Sequence, residues 1–136
     1  TFLDSYDIQT SPGGPTTSIT GNLNAGNFSR ALPEVRANLT NSFGMGDHRG
    51  VVVFRYVDGV NDTRSNSVIK SIDSRMTVDA RYSYDFEAMG GTSNFSVGII
   101  NLTDEDIPQA DHAASYAPDL HDPRGRMWYM TLNHAF

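Results

Sequence analysis

The sequence predicts an all-β fold, an antiparallel meander of about six strands. Three observations carry that expectation. The hydrophobic period is two wherever a period can be measured, long and short connections alternate regularly, and aromatic residues gather near the strand ends. No segment longer than about ten residues shows a helical period.

Residues 2–9 are expected to form the first strand, on the weakest pattern of the six. Residues 34–43 follow, with Val35, Ala37, Leu39 and Phe43 on one side and Arg36, Asn38, Thr40 and Ser42 on the other. In 51–57 the alternation is noisier, but Val52, Phe54 and Tyr56 oppose a face carrying Arg55. Residues 75–86 alternate without an error, setting Met76, Val78, Ala80, Tyr82, Tyr84 and Phe86 against Arg75, Thr77, Asp79, Arg81, Ser83 and Asp85. Residues 94–102 place Phe95, Val97 and Ile99 opposite Ser96 and Gly98, and 126–136 place Trp128, Met130, Leu132 and Phe136 opposite Thr131, Asn133 and Ala135.

The connections then run long, short, long, short, long: 10–33, 44–49, 58–74, 87–93 and 103–125. Most connections in compact soluble domains are short. Tight turns at one end and long loops at the other are instead the habit of a transmembrane β-barrel. A strand within 17–27 would break this parity, so that stretch is expected in the first loop. The aromatics agree: Phe43, Tyr84, Phe86, Phe95 and Phe136 fall near the turn end, while Tyr56 and Trp128 fall near the loop end. Two aromatic levels flanking an apolar band suit a barrel wall. Strand by strand, the same alternation fits the inward faces of a soluble β-sandwich.

Composition narrows the classes further. The 136 residues are 38% apolar with 12 glycines, which is ordinary for a folded chain. Sixteen acids against ten bases give a net charge of −6, so no basic stripe exists for nucleic acid. The absence of cysteine removes disulfides, thiolate metal sites and cysteine nucleophiles. No apolar run approaches the ~20 residues of a membrane helix, a test that strands never meet. No Gly-x-Ser-x-Gly, His-Glu-x-x-His or phosphate-cradling glycine motif is present, so an enzyme is not expected. The chain begins at Thr1 without a methionine or signal segment, and about six strands cannot close a barrel alone. A fragment of a larger barrel is therefore expected.

At the C-terminal end, residues 101–108 read Asn-Leu-Thr-Asp-Glu-Asp-Ile-Pro, and 121–129 read His-Asp-Pro-Arg-Gly-Arg-Met-Trp-Tyr before the terminal Phe136. Together these resemble the C-terminus of TonB-dependent outer-membrane receptors. That family carries an Asn-Leu-Phe-Asp type motif, a proline pair, a long loop, Asp-Pro-x-Gly-Arg and a last strand closing on phenylalanine. Residues 32–38, Leu-Pro-Glu-Val-Arg-Ala-Asn, and 56–59, Tyr-Val-Asp-Gly, also resemble its strand starts and loop edges. The likeness covers most of 30–136, with departures at Thr103, Ile107 and His134.

The resemblance implies a barrel of about 22 strands filled by an N-terminal plug, of which residues 1–136 are the C-terminal portion. It implies a bacterial, Gram-negative outer-membrane receptor that imports a scarce ligand: a siderophore-like chelate, haem, cobalamin or a glycan. TonB energises import through the plug, which these residues lack. The implied partners are TonB, membrane lipid, the outer-membrane assembly machinery and the small-molecule ligand, with no cofactor. Two alternatives stay open, a passive porin wall and a soluble secreted sandwich that binds carbohydrate.

Candidate residues follow. Trp128, Met130, Leu132, His134 and Phe136 look like a C-terminal signal for the assembly machinery, because an edge strand with a free end suits β-augmentation. Arg55, Arg75, Asp79, Arg81 and Asp85 are expected to face the lumen, since a charge facing lipid costs about 2–4 kcal/mol at the midplane. Structural pairing there is the plainer role for them. His112, Tyr116, His121 and Arg124, with Asp111, Asp119 and Asp122, are candidate ligand contacts in a long acidic loop. Asp111-His112 and His121-Asp122 carry metal-competent side chains, but at no recognised ligand spacing, and no metal site is expected. Glycosylation acceptor patterns at Asn27, Asn38, Asn61, Asn94 and Asn101 are coincidental in a bacterial chain.

Overall fold

The computed structural model describes residues 1–24 and 30–136. The part of the first long connection at 25–29, with the Asn27 acceptor pattern, lies outside the described residues. The fold is all-β, and among the described residues no helix occurs. In chain order the strands are β1 (Asp7–Gln9), β2 (Thr16–Ser18), β3 (Asn22–Leu23), β4 (Arg36–Met45), β5 (His48–Val57), β6 (Val60–Asp62), β7 (Ser71–Ile72), β8 (Arg75–Ala88), β9 (Gly91–Ile100) and β10 (Met127–Ala135). They fall in two compact units, a loop unit (1–37, 56–76, 106–123) and a sheet unit (38–55, 77–105, 124–136).

The sheet has five strands in the order β10-β9-β8-β5-β4. Two of its adjacent pairs, β4-β5 and β8-β9, are joined by two-residue turns that the residues dictate. Met89 and Gly90 both have positive φ, 51° and 79°, the backbone of a type I′ hairpin, and Gly46 supplies φ 59° at the first central position of the other. These turns are tighter than the 44–49 and 87–93 connections expected from sequence, because the alternating pattern continues through both flanks. β4, β5, β9 and β10 hold 9 or 10 residues each, and β8 holds 14.

Register aligns the two faces across the sheet. Trp128 pairs with Ile99 and Ile99 with Ala80, Met130 with Val97 and Val97 with Tyr82, Leu132 with Phe95 and Phe95 with Tyr84. On β5 and β4, His48 stacks on Tyr84 at 4.7 Å, and the Phe43 ring fills the space a side chain at Gly50 would need. The even residues of β5 and odd residues of β4 therefore share the apolar face. It carries no Asp, Glu, Lys or Arg on any of the five strands. Nor do the described residues cover it, Trp128, Met130 and Leu132 being 68%, 75% and 67% exposed.

One expectation is corrected. Residues 2–9 do not form a sixth strand of the large sheet. Only β1 is extended, and it pairs with β2, Ile8 opposite Thr17, while Phe2 makes an isolated bridge to Val35. The Pro12-Gly13-Gly14-Pro15 stretch explains this. Gly13 takes φ +74°, and Gly14 N–H donates to Ser11 O at 3.0 Å, so the chain folds back within a few residues. Residues 16–18 and 22–23 are likewise short strands and not plain loop, but neither joins the large sheet, so the parity of its connections is kept.

The loop unit has its own small core. Leu23, Ala31, Val60, Ile72, Ala110, Ala117 and Leu120 cluster with Val57 against them. Around it, β3 pairs parallel with β6, and β6 antiparallel with β7.

Candidate functional site

The polar face of the sheet is built by the residues that alternate with the apolar ones. Arg55 pairs with Asp79, and Arg49 with Asp85 at 2.6 Å. Asp79 also accepts from Asn101 N–H at 3.0 Å, and Asp85 from the Asn94 amide. Arg81 lies between these aspartates along β8, and its guanidinium donates to Ser96 Oγ at 3.3 Å. Four of the five residues expected on the lumen side thus share one face. Arg75, at the start of β8, is buried and donates to the Asp122 carbonyl within the loop unit.

The five C-terminal residues expected as an assembly signal lie at or beyond edge strand β10, on the apolar side. His134 is the partial exception to their exposure. Its Nδ1 is 2.9 Å from Ser93 Oγ, and its ring meets Phe136 edge-on at 4.4 Å. Phe136 itself is fully exposed.

Where β9 ends, the Asn-Leu-Thr-Asp stretch forms a closed turn. Asn101 adopts φ 51° and is almost wholly buried; its side chain donates to Glu105 O and accepts from Glu105 N–H, both at 3.0 Å. Asp104 then accepts from Arg126 N–H at 3.1 Å and from its guanidinium at 3.0 Å, clamping together the two ends of the long connection. Asparagine is among the few non-glycine residues at ease in the left-handed region.

The candidate ligand loop is more heavily braced than its polarity suggests. Asp62, fully buried, accepts from Arg64 Nε (2.9 Å), Arg64 Nη2 (2.6 Å), Arg64 N–H (3.1 Å) and Ser67 Oγ (2.7 Å). Arg64 beside it holds the Asp62 carboxyl down at about 2 against the opposing effect of burial, and Ser67 helps. Arg64 also donates to Asp111 O at 2.8 Å, and the Asp111 carboxylate accepts from Val68 N–H at 2.7 Å. Asp119 accepts from Ala31 N–H at 2.7 Å, and its carbonyl from Arg36 at 3.1 Å. Asp111 and Asp119 are therefore committed to staples within the loop unit.

Of the residues nominated beside them, His112 is exposed and accepts from Ala114 N–H at 3.1 Å, and Tyr116 is half-buried. His121 is buried with Nε2 lacking a partner among the described residues. Burial, and after it the charges of Arg75 and Arg36, lower its pKa to about 4, so it stands neutral at pH 7. Arg124 is exposed in the sheet unit. Among the described residues no three His, Asp or Glu side chains group as a metal site.

Sequence reasoning missed Asp62, Arg64, Ser67 and Arg49. Asp62 closes the short strand β6 and Arg64 lies two residues on, a spacing without periodic signal, and Arg49 was placed in a turn instead of a strand.

Compared with known proteins, the chain matches no family model, no curated protein and no solved structure.

Proposed function

We propose that the five-stranded sheet is a segment of an outer-membrane β-barrel wall. The observation that carries this reading is the apolar face: long antiparallel strands present an uncovered surface without one formal charge, while the opposite face holds paired arginines and aspartates. A sandwich needs a second sheet on such a face, and among the described residues none covers it. An aqueous monomer rarely exposes so large an apolar area.

The parent protein, on the C-terminal resemblance, is a TonB-energised receptor importing a scarce ligand in Gram-negative bacteria. The chain supplies wall and outer loops to it, and its partners are membrane lipid, the assembly machinery acting on β10 and Phe136, and TonB acting through a plug. The Asn101 turn and the Asp104–Arg126 clamp support that likeness, because the motif residues perform one concerted task in shaping the last long loop.

The test is to read the coding sequence upstream of Thr1 and to fractionate cells expressing the whole product. The expected result is a signal peptide, a plug domain and further strand patterns, with the product in outer membranes. A signal peptide directly before Thr1, with a product soluble without detergent, would contradict the proposal and favour a secreted sheet. A barrel of full length without a plug would make it a porin.

A further inference from the structure

The polar face of the sheet carries a second feature that neither wall-building nor ion pairing uses. Two cross-strand rows run across β8, β9 and β10 between the saturated aspartates. In the upper, Arg81 pairs with Gly98 and Gly98 with Tyr129; in the lower, Ser83 pairs with Ser96 and Ser96 with Thr131. A Cβ at Gly98 would overlap the Tyr129 ring at Cζ and the hydroxyl. The phenol therefore lies over Gly98 on β9, the residue that pairs with Arg81 on the next strand. Only glycine leaves room for this.

The charges around the rows are unequal. Asp79 above is neutralised by Arg55 and Asp85 below by Arg49. Arg81 has no carboxylate at ion-pair distance among the described residues, and its hydrogen bond is to a neutral hydroxyl at 3.3 Å. Arg81, Tyr129 and Thr131 are exposed, so the donors are within reach of a solute. A guanidinium flanked by hydroxyl donors, with the nearby carboxylates already satisfied, is matched to an anion with two oxygens in one plane.

We propose that Arg81 and Tyr129 form an oxyanion-binding subsite on the polar face, taking the carboxylate or phosphate group of a small anionic solute. Arg81 donates two parallel N–H bonds, and the Tyr129 hydroxyl supplies a third. Gly98 is a positioning residue, acting through the phenol it admits. The subsite goes beyond the wall reading and does not depend on it, since this face is polar in a barrel or in a soluble sheet.

The test is calorimetric titration of the purified whole product with citrate and with inorganic phosphate. At least one of the two is expected to bind saturably. Arg81→Gln is expected to weaken that binding roughly ten- to hundredfold, as loss of a charged hydrogen-bond pair does, and Tyr129→Phe by roughly threefold. Gly98→Ala should match Tyr129→Phe, and Arg81→Lys should fall between wild type and Arg81→Gln. Arg49→Gln, which leaves Asp85 without its arginine four residues along β8 from Arg81, should weaken binding far less than Arg81→Gln does. Unchanged binding in Arg81→Gln, equal losses in Arg49→Gln and Arg81→Gln, or no saturable binding of either anion would each overturn the proposal. Tyr129→Phe keeps the ring on Gly98, so its effect reads the hydroxyl even if an Arg81 variant misfolds.

Discussion

In the loop unit, apolar side chains turn inward. Seven of them from three separate stretches of chain make a small core, and a fully buried aspartate with its arginine pins the surrounding backbone. In the sheet unit, the large apolar residues turn outward, on a face that nothing in the described chain covers. One unit carries its own solvent-excluded interior, whereas the other leaves its large apolar side chains exposed among the described residues. The lesson is that burial has two meanings in one short chain, and that charge placement follows it. Charges in the loop unit brace a fold, while those of the sheet are all kept off one face.

The sharpest way to break this contrast is to put a charge on each face of one strand. Met130 and Thr131 are adjacent on β10 and point oppositely. Met130→Arg is expected to cost about 2–4 kcal/mol of folding free energy in lipid vesicles, and Thr131→Arg well under half of that. Equal costs, read from urea titrations of the reconstituted protein, would dissolve the distinction between faces.

Next in size is the loop unit's own anchor. Asp62→Asn removes the charge that Arg64 neutralises, at a cost of about 2 kcal/mol given that Arg64 is partly exposed. Faster amide exchange at 60–62 and 71–72, with β9 and β10 unchanged, is the expected signature. Exchange rising equally in the sheet would mean that the units are not separate in energy.

Acid should act on the same unit. His121 is lowered to about 4 by burial, with Arg75 and Arg36 adding to the effect, so the unfolded state binds its proton first as pH falls. Stability is full above about 6.5 and declines from there down to about 4; at pH 5.5 the loss is about 1 kcal/mol. His121→Gln should flatten the decline in loop-unit exchange between pH 7 and 5. A slope retained in the variant would assign it to other groups.

Smallest is the sheet's exposed pair. Arg49 is 65% exposed, and Arg49→Gln should change stability by less than about 1 kcal/mol. A larger loss in vesicles would mean that the polar face is far drier than its exposure indicates.

The sheet was legible in the sequence because period two over nine or more residues reads as a strand, and because a face without charge leaves a conspicuous pattern, as from Met76 to Phe86. The short turns were visible only as approximate gaps, since the alternation runs through Gly46-Asp47 and Met89-Gly90. Residues 2–9 misled because an alternating stretch does not reveal its partner. The Pro-Gly-Gly-Pro run that sends it back on 16–18 was the signal. In the loop unit, the Asp62–Arg64–Asp111 network joins residues 47 apart, and no local spacing announces such a contact. Arg81 was expected to face a lumen and lies on the polar face of the sheet, but its lack of a carboxylate depends on which partners Asp79 and Asp85 take.

The most direct test of the account places single cysteines at 128 through 133 in the whole product, which the absence of native cysteine in this chain favours, and spin-labels them after assembly into outer membranes. The account predicts that 128, 130 and 132 are relaxed by oxygen, and 129, 131 and 133 by a water-soluble nickel chelate, in strict alternation. Uniform access of the nickel chelate to all six positions would contradict the claim that this face meets hydrocarbon.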